Sequence, residues 1–344
     1  MNDALRQETE RLQRTWMTRD PAHLDSYLVS GPEDPRLNLQ SLFSRHFLLR
    51  QLAGKVWDDL MSRECRFAAA MNWLTECART EGDTEALAAV RHALEQDSDN
   101  AEGILVPTFL RRIFRQLPGD VCGLPVPNYI TEFLEHTAFV SGKPILPYAG
   151  IDTFARLWQQ ALAREPAKPS ATRLKVLEPA CGSANDFRAL HAFGIADRID
   201  YTGFDLCETN IANARRLFPE TRFQVGNIFE IPAPDREFDL CFMHDIFEHL
   251  SLAGLERALE EVCRVTRLGL CVGFFNLDDI PAHIERPYEE YHWNTLSVEQ
   301  IRKAFLKRGF ACRIRNVGAF LQEELGCEQT HNPNACTFLL WRPE

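Results

Sequence analysis

The feature that most constrains this chain is a change of texture near residue 173. Beyond it, short apolar runs of strand length alternate with amphipathic segments of helix length, the pattern of a parallel sheet covered by helices on both faces. Strands are expected over residues 175–178, 201–205, 222–225, 239–243, 269–275, 312–317 and 337–341, the last two as an antiparallel hairpin at the sheet edge. Helices are expected over residues 185–193, 208–217, 252–266 and 297–308. In the third of these, Leu255, Leu259, Val262 and Thr266 share one face while Glu256, Glu260 and Arg264 share another. The fold class is therefore α/β, with seven strands in one sheet.

Upstream the period is helical: apolar residues recur at three-to-four spacing and strand-like alternation is absent over the first ~150 residues. Leu42, Phe43, Phe47, Leu48, Leu52, Val56, Trp57 and Leu60 form one such stripe, and further helices are expected over 66–79, 84–96, 104–116, 129–137 and 151–163. The stretch Glu165-Pro166-Ala167-Lys168-Pro169-Ser170-Ala171-Thr172 is Pro-rich and polar, as a linker is. Three units follow: an all-helical N-terminal domain over residues 1–164 serving as a cap or for dimerisation, a linker over 165–172, and the α/β domain over 173–344. The helical unit is expected to complete a substrate pocket and not the core of the sheet.

Composition narrows the partners. A formal charge of −11 and a pI near 5.5 argue against nucleic-acid phosphates or anionic lipid, leaving a small-molecule substrate, with a homodimer through the helical domain as the protein partner to consider. The first ten residues alternate charge without an apolar signal core, and no apolar run approaches the ~20 residues that span a bilayer, so a cytoplasmic location without membrane contact is expected. The 11 cysteines include no CxxC pair, which suits reduced thiols. Cys327, His331 and Cys336 offer three metal-ligand types without the paired spacing of a structural site, so no metal is expected.

Four strand ends carry chemistry. Val176-Leu177-Glu178-Pro179-Ala180-Cys181-Gly182-Ser183-Ala184-Asn185-Asp186 is a strand ending in an acid, a turn of small residues and a helix start. Small side chains let a backbone pass close to a ligand, and Glu178 is placed to accept from a ligand amino group. In Tyr201-Thr202-Gly203-Phe204-Asp205 a second carboxylate stands where ribose hydroxyls lie in a doubly wound sheet. Val225-Gly226-Asn227-Ile228 brings a side-chain amide for an adenine edge and an apolar surface for the ring. The fourth strand, opening Phe238-Asp239-Leu240, delivers His244, Asp245, Glu248 and His249 to the same edge.

This ordered set resembles the class I S-adenosylmethionine-dependent methyltransferases, particularly their broad small-molecule group. The resemblance covers residues 173–309: the acidic strand end and small-residue turn, the ribose acid, the Gly-Asn adenine contact, Phe238-Asp239-Leu240, Glu248-His249-Leu250 and the later Leu296-Ser297-Val298-Glu299-Gln300. It implies a Rossmann-like fold and S-adenosyl-L-methionine as cofactor, held by Glu178, Ala180, Gly182, Asp205, Leu206, Asn227, Ile228 and His244. The family's turn usually has three glycines where this chain has Ala180, Gly182 and Ala184, so two alanines must adopt conformations an L-residue tolerates. The Glu178-to-Ser183 run also resembles amino-methylating DNA methyltransferases, but their Asn/Asp-Pro-Pro-aromatic motif is replaced by His244-Asp245-Ile246-Phe247.

The expected activity is transfer of the cofactor's methyl group to a nitrogen, oxygen or carbon of a small molecule. Methyl transfer is an in-line displacement in which positioning and water exclusion can suffice. Where the acceptor must lose a proton, the candidate bases are His244, Asp245, His249 and His292. The long segment after the fifth strand, residues 278–294, brings Tyr288, Tyr291, His292 and Trp293 as a substrate wall together with His249. Glu248 and His249 have a second reading, a hydrogen-bonded helix start that shapes this loop. The alternatives are an enzyme that attacks another carbon of the sulfonium, as an aminocarboxypropyl transferase or cyclase releasing methylthioadenosine, and a non-catalytic cofactor-binding module.

Overall fold

The computed structural model describes residues 1–17, 37–53, 58–81, 84–116, 120–121, 124–125, 129–140, 143–145, 155–156, 158–160, 162–163, 173–328 and 332–343. The sheet has seven strands: β1 (Leu174–Pro179), β2 (Ile199–Asp205), β3 (Arg222–Val225), β4 (Phe238–His244), β5 (Thr266–Phe274), β6 (Ala311–Asn316) and β7 (Cys336–Trp341). Their spatial order is β6-β7-β5-β4-β1-β2-β3. β1 pairs in parallel with β2 and β4, as do β2 with β3 and β4 with β5, whereas β7 runs antiparallel to both neighbours. The central strands are buried on both faces, which explains why they read as continuous apolar runs. The order reverses at β1 and β4, so their carboxyl ends open a crevice there.

The sequence-based strands and their intervening helices are all found. The helices of this part are α7 (Asn185–Ala192), α8 (Glu208–Leu217), α9 (Leu252–Val265), α10 (Val298–Lys307) and α11 (Val317–Leu325). α11 is additional to the sequence-based helices: the sixth strand stops at Asn316, whose side chain caps the Ala319 N–H at 2.8 Å, and a left-handed Gly326 (φ 67°) ends the helix. The expected hairpin of the last two strands exists as the β6–β7 pair, with β7 on the inner side against β5.

The N-terminal region is helical, with α1 (Asp3–Met17), α2 (Leu39–Ala53), α3 (Asp58–Glu81), α4 (Thr84–Glu95), α5 (Thr108–Gln116) and α6 (Tyr129–His136). The stripe from Leu42 to Leu60 is divided between α2 and α3, and Val56 and Trp57 lie outside the described residues. Residues 104–105 pair with 100–101 as a short antiparallel ladder, so the helix expected from residue 104 starts only after Pro107. Further two- and three-residue ladders join 120–121 to 124–125 and 138–140 to 143–145. Part of the helix expected at 151–163 lies outside the described residues; Ala155, Trp158 and Leu162 are buried. Among the described residues no helix is long and apolar enough to cross a membrane.

One apolar cluster runs through both regions, uniting Leu42, Phe43 and Leu74 of the helices with Val176, Phe187, Phe193 and Phe242 of the α/β part. The helical region therefore completes part of the sheet's core, contrary to the expectation that it would serve the pocket alone. Polar ties cross the same seam. Gln40 donates to the Phe274 carbonyl at 2.9 Å, and the buried Arg45 guanidinium, 2.9 Å from Glu64, lies 4.5 Å from the Phe193 ring centroid.

Candidate active site

The turn after β1 places Ala180, Gly182 and Ala184 all at positive φ, 55°, 56° and 67°. Glycine reaches this region freely, but each alanine there costs on the order of 1 kcal/mol. The strain holds a specific backbone path: Gly182 N–H donates to Asp205 Oδ2 at 3.0 Å. Asp205 Oδ1 accepts from Cys207 N–H at 2.8 Å and Asn210 Nδ2 at 3.2 Å. Burial pushes this carboxyl's pKa up against those donors. A carboxylate offers about four acceptor positions, so Asp205 keeps capacity for a ligand hydroxyl.

Glu178 is buried at the end of β1 and accepts from Tyr201 Oη at 2.5 Å. Burial, and then the charges of Asp186 and Asp205, push its pKa well above the usual carboxylate range. Asn227 Oδ1 accepts from Phe229 N–H at 2.9 Å, while its Nδ2 donates to Thr9 Oγ1 of α1 at 2.9 Å. Its amide is thus engaged by the chain itself, and the neighbouring Ile228 faces the cavity. Gly226 lies flat on Phe204, whose ring atoms would be 3.0 Å from any Cβ there.

These strand ends surround one cavity of about 350 Å³, which Ala180, Leu206, His244, Asp245 and His249 also line. Asn38 and Ser41 close it from α2, and Leu12 from α1. Four carboxylates line the cavity (Glu178, Asp186, Asp205 and Asp245), and no lysine or arginine is among its described lining residues. Buried acceptor atoms Asn185 Oδ1 and Asp186 Oδ1 have no hydrogen-bond partner among the described residues. Such a lining is built for a ligand that brings positive charge and N–H donors.

At the end of β4, Asp245 takes a positive φ of 54° and donates its N–H to the Gly273 carbonyl at 3.0 Å, holding β4 and β5 together at the mouth. His244 is mostly buried beside Ser44, and its desolvation lowers its pKa. Glu248 accepts from Phe275 N–H at 2.7 Å and Asn276 N–H at 3.2 Å, and its carbonyl takes the Asn294 N–H at 3.0 Å. Burial and the nearby Asp245 charge raise its carboxyl to about 8. Glu248 therefore shapes the loop, the second of its two sequence readings.

His249 donates Nδ1–H to the His292 carbonyl at 3.0 Å and packs on Phe275, Tyr291 and Trp293 at centroid distances of 5.2, 5.3 and 5.4 Å. Tyr288, Tyr291 and His292 do not reach the cavity wall. They fold as the hairpin Pro287–Tyr288 with Tyr291–His292, which stands behind His249, with the His292 imidazole 3.6 Å from Glu285. Trp293 and Tyr288 are exposed. His331 lies outside the described residues. Among the described residues no acid, histidine or cysteine cluster suits a metal.

Sequence reading missed Asp186, Asn185, Asn210, Asn38, Ser41, Ser44 and Thr9. Asp186 stood inside the quoted motif, one residue into α7. The serines leave a fainter signal: the first seven residues of α2, Leu39 to Arg45, are all buried, so its polar positions face other protein groups.

Residues 176–269 match the sequence profile of the family described as Methyltransferase domain. With the strand order and the cavity, that match decides the identity of this region. It is a class I S-adenosylmethionine-dependent methyltransferase domain. A malonyl-[acyl-carrier protein] O-methyltransferase of Pectobacterium atrosepticum is 30% identical over 129 residues, 37% of this chain and 49% of that protein. The chain thus spans about half the length of that curated relative. The [4+2]-cyclase SpnF is similar at a TM-score of 0.39 and 16% identity, covering 56% of this chain and 81% of its own. An S-adenosylmethionine-dependent methyltransferase from Mesorhizobium loti has the same score and identity, covering 54% and 95%. The cofactor of the methyltransferase domain is S-adenosylmethionine, and the acid-rich, donor-seeking cavity fits its sulfonium and ammonium groups. Glu178 and the turn would hold the amino-acid end, Asp205 the ribose, and Ile228 the adenine.

Proposed function

We propose that the whole chain is a methyltransferase that modifies a small molecule admitted between the helical region and the methyltransferase domain. The observation that carries this reading is the convergence of Glu178, Asp205, Ile228 and His244 on one cavity whose far side is closed by Asn38 and Ser41 of α2 and Leu12 of α1. The helices then act as a lid that excludes water from the reacting groups. When bound, the cofactor supplies an electrophilic methyl group on sulfur. His244, Asp245 and Asp186 surround the mouth from which an acceptor approaches, and the backbone tie between Asp245 and Gly273 fixes that mouth. Carboxylates without a described cation in the lining disfavour an acceptor that is itself a carboxylate, and favour a neutral or cationic nucleophile. A cytoplasmic location and a small-molecule partner are part of the same proposal.

The test is incubation of the full chain with S-adenosylmethionine and fractionated metabolite pools, with both products read by mass spectrometry. S-adenosylhomocysteine accumulating with a product 14 mass units heavier supports methyl transfer. Stoichiometric methylthioadenosine would replace it with chemistry at another carbon of the sulfonium, and absence of turnover despite cofactor binding would favour a binding module.

A further inference from the structure

His244 sits at the carboxyl end of β4 with its two ring nitrogens in unlike surroundings. Nε2 lies 2.9 Å from Ser44 Oγ of α2 and 3.9 Å from the Asp186 carboxylate. Nδ1 is buried and has no hydrogen-bond partner among the described residues, and it is packed over Gly273 so closely that a Cβ there would come within 2.5 Å of it. Ser44 is itself buried and lies 3.4 Å from Cys271 Sγ, which accepts its hydroxyl hydrogen.

A neutral imidazole carries one hydrogen and must choose a nitrogen. On Nδ1, that hydrogen would be a buried donor facing backbone carbon, with no acceptor. On Nε2 it is donated to Ser44 Oγ, Ser44 passes its own hydrogen to Cys271, and the Asp186 carboxylate adds a favourable field. We propose that Ser44 is a positioning residue that holds His244 as the neutral Nε2–H tautomer, making the ring a hydrogen-bond donor and removing it from the candidate bases. The charged and titratable groups around the ring are Asp186 from α7, Arg45 from α2, Cys271 from β5 and the adjoining Asp245. Asp186 favours the protonated ring and Arg45 opposes it, while burial keeps it neutral. A proton leaving an acceptor as its lone pair bonds the methyl carbon then goes to the Asp186 carboxylate, whose Oδ1 is buried and without a partner among the described residues.

The consequence for catalysis rests on the proposed methyltransferase reading; the tautomer does not, and is measured without turnover. The full chain, labelled with ¹⁵N in its histidine rings, is examined by long-range ¹H–¹⁵N correlation from pH 6 to 8, with His244→Gln assigning the signals. The expected spectrum shows a protonated Nε2 and a lone-pair Nδ1 throughout. Ser44→Ala should move both ring shifts toward tautomeric averaging, and Ser44→Thr, which keeps the hydroxyl, should restore them. A wild-type Nδ1–H ring, or a Ser44→Ala spectrum with unchanged ring shifts, overturns the proposal. The wild-type spectrum decides the tautomer even if a variant fails to fold, and neither tautomer alters the case for cofactor binding.

Discussion

Glu8 of α1 caps α9 from another part of the chain: its two carboxylate oxygens accept the Ser251 N–H at 2.7 Å and the Ser251 hydroxyl at 2.6 Å. Ser251 Oγ in turn accepts from the Gly254 N–H at 3.0 Å. In an ordinary capping box the acid sits three residues into the same helix and reaches back. Here that position is Gly254, and a Cβ on it would lie 2.9 Å from Glu8 Oε1. The acid is supplied by α1, and the glycine makes room for it.

Glu8→Ala should therefore cost about 1–3 kcal/mol, because a buried cap loses charge-assisted bonds. Adding Gly254→Glu to that variant should recover about 0.5–1 kcal/mol by rebuilding the cap within α9. In the parent chain the same Gly254→Glu should destabilise by crowding Glu8. Urea melts of the three variants check this, and a Gly254→Glu parent as stable as wild type would contradict the shared-cap geometry.

Asp205→Ala should weaken binding of S-adenosylhomocysteine by roughly 2–4 kcal/mol, since ribose hydroxyls lose a charged acceptor in a partly buried site. Calorimetry measures it. The same change also frees the Gly182 N–H, so Asp205→Asn, which keeps one acceptor oxygen, should lose less.

Cofactor binding should release a proton. Glu178 is held above the usual carboxylate range by burial and by its acidic neighbours, and an arriving cation favours its ionised form. S-adenosylmethionine affinity should accordingly rise with pH until Glu178 is ionised in the free protein. Binding heats measured in buffers of different ionisation enthalpy should reveal the released proton, and Glu178→Gln should abolish that dependence. Heats independent of the buffer at every pH would place the cation elsewhere.

Glu248 gives a pH signature of stability. Its carboxyl is raised from 4.5 to about 8, so the folded state holds a proton that the unfolded state releases between those values. That contribution is complete below about 4.5 and is lost as pH rises through about 8, a loss on the order of a few kcal/mol. Glu248→Gln keeps an oxygen for the Phe275 and Asn276 N–H groups, so it should flatten the decline and exceed wild type in stability above pH 8. Thermal melts from pH 4 to 9 test it; parallel profiles for the two proteins would show that Glu248 stays ionised.

The α/β half was readable because each element declares itself locally. β1, β2 and β4 each have a short, mostly apolar stretch leading to Glu178, Asp205 and His244, and the helices between them carry their period within a dozen residues. What escaped depends on partners far away in the chain. Ser44 meets His244 across 200 residues, Glu8 meets Ser251 across 243, and neither side of either pair carries a pattern that names the other. Tyr288, Tyr291 and His292 misled for the converse reason: aromatic residues in a loop after a strand suggest a pocket wall, but a tight hairpin sets Tyr291 and His292 against His249 and Tyr288 against Tyr291 and Trp293.

The position of β7 has a consequence for synthesis on the ribosome. β6 is made first yet touches the sheet only through β7, so residues 311–316 have nothing to pair with until residues 336–341 have emerged. During that interval the outer edge of β5 stands open, an invitation to pairing with another nascent chain. α2 is translated more than 200 residues earlier, and in the folded chain it sets Gln40 on the Phe274 carbonyl and Phe47 against Gly269. The helix that lines the cavity thus also packs on the strand whose edge is the last of the sheet to be covered.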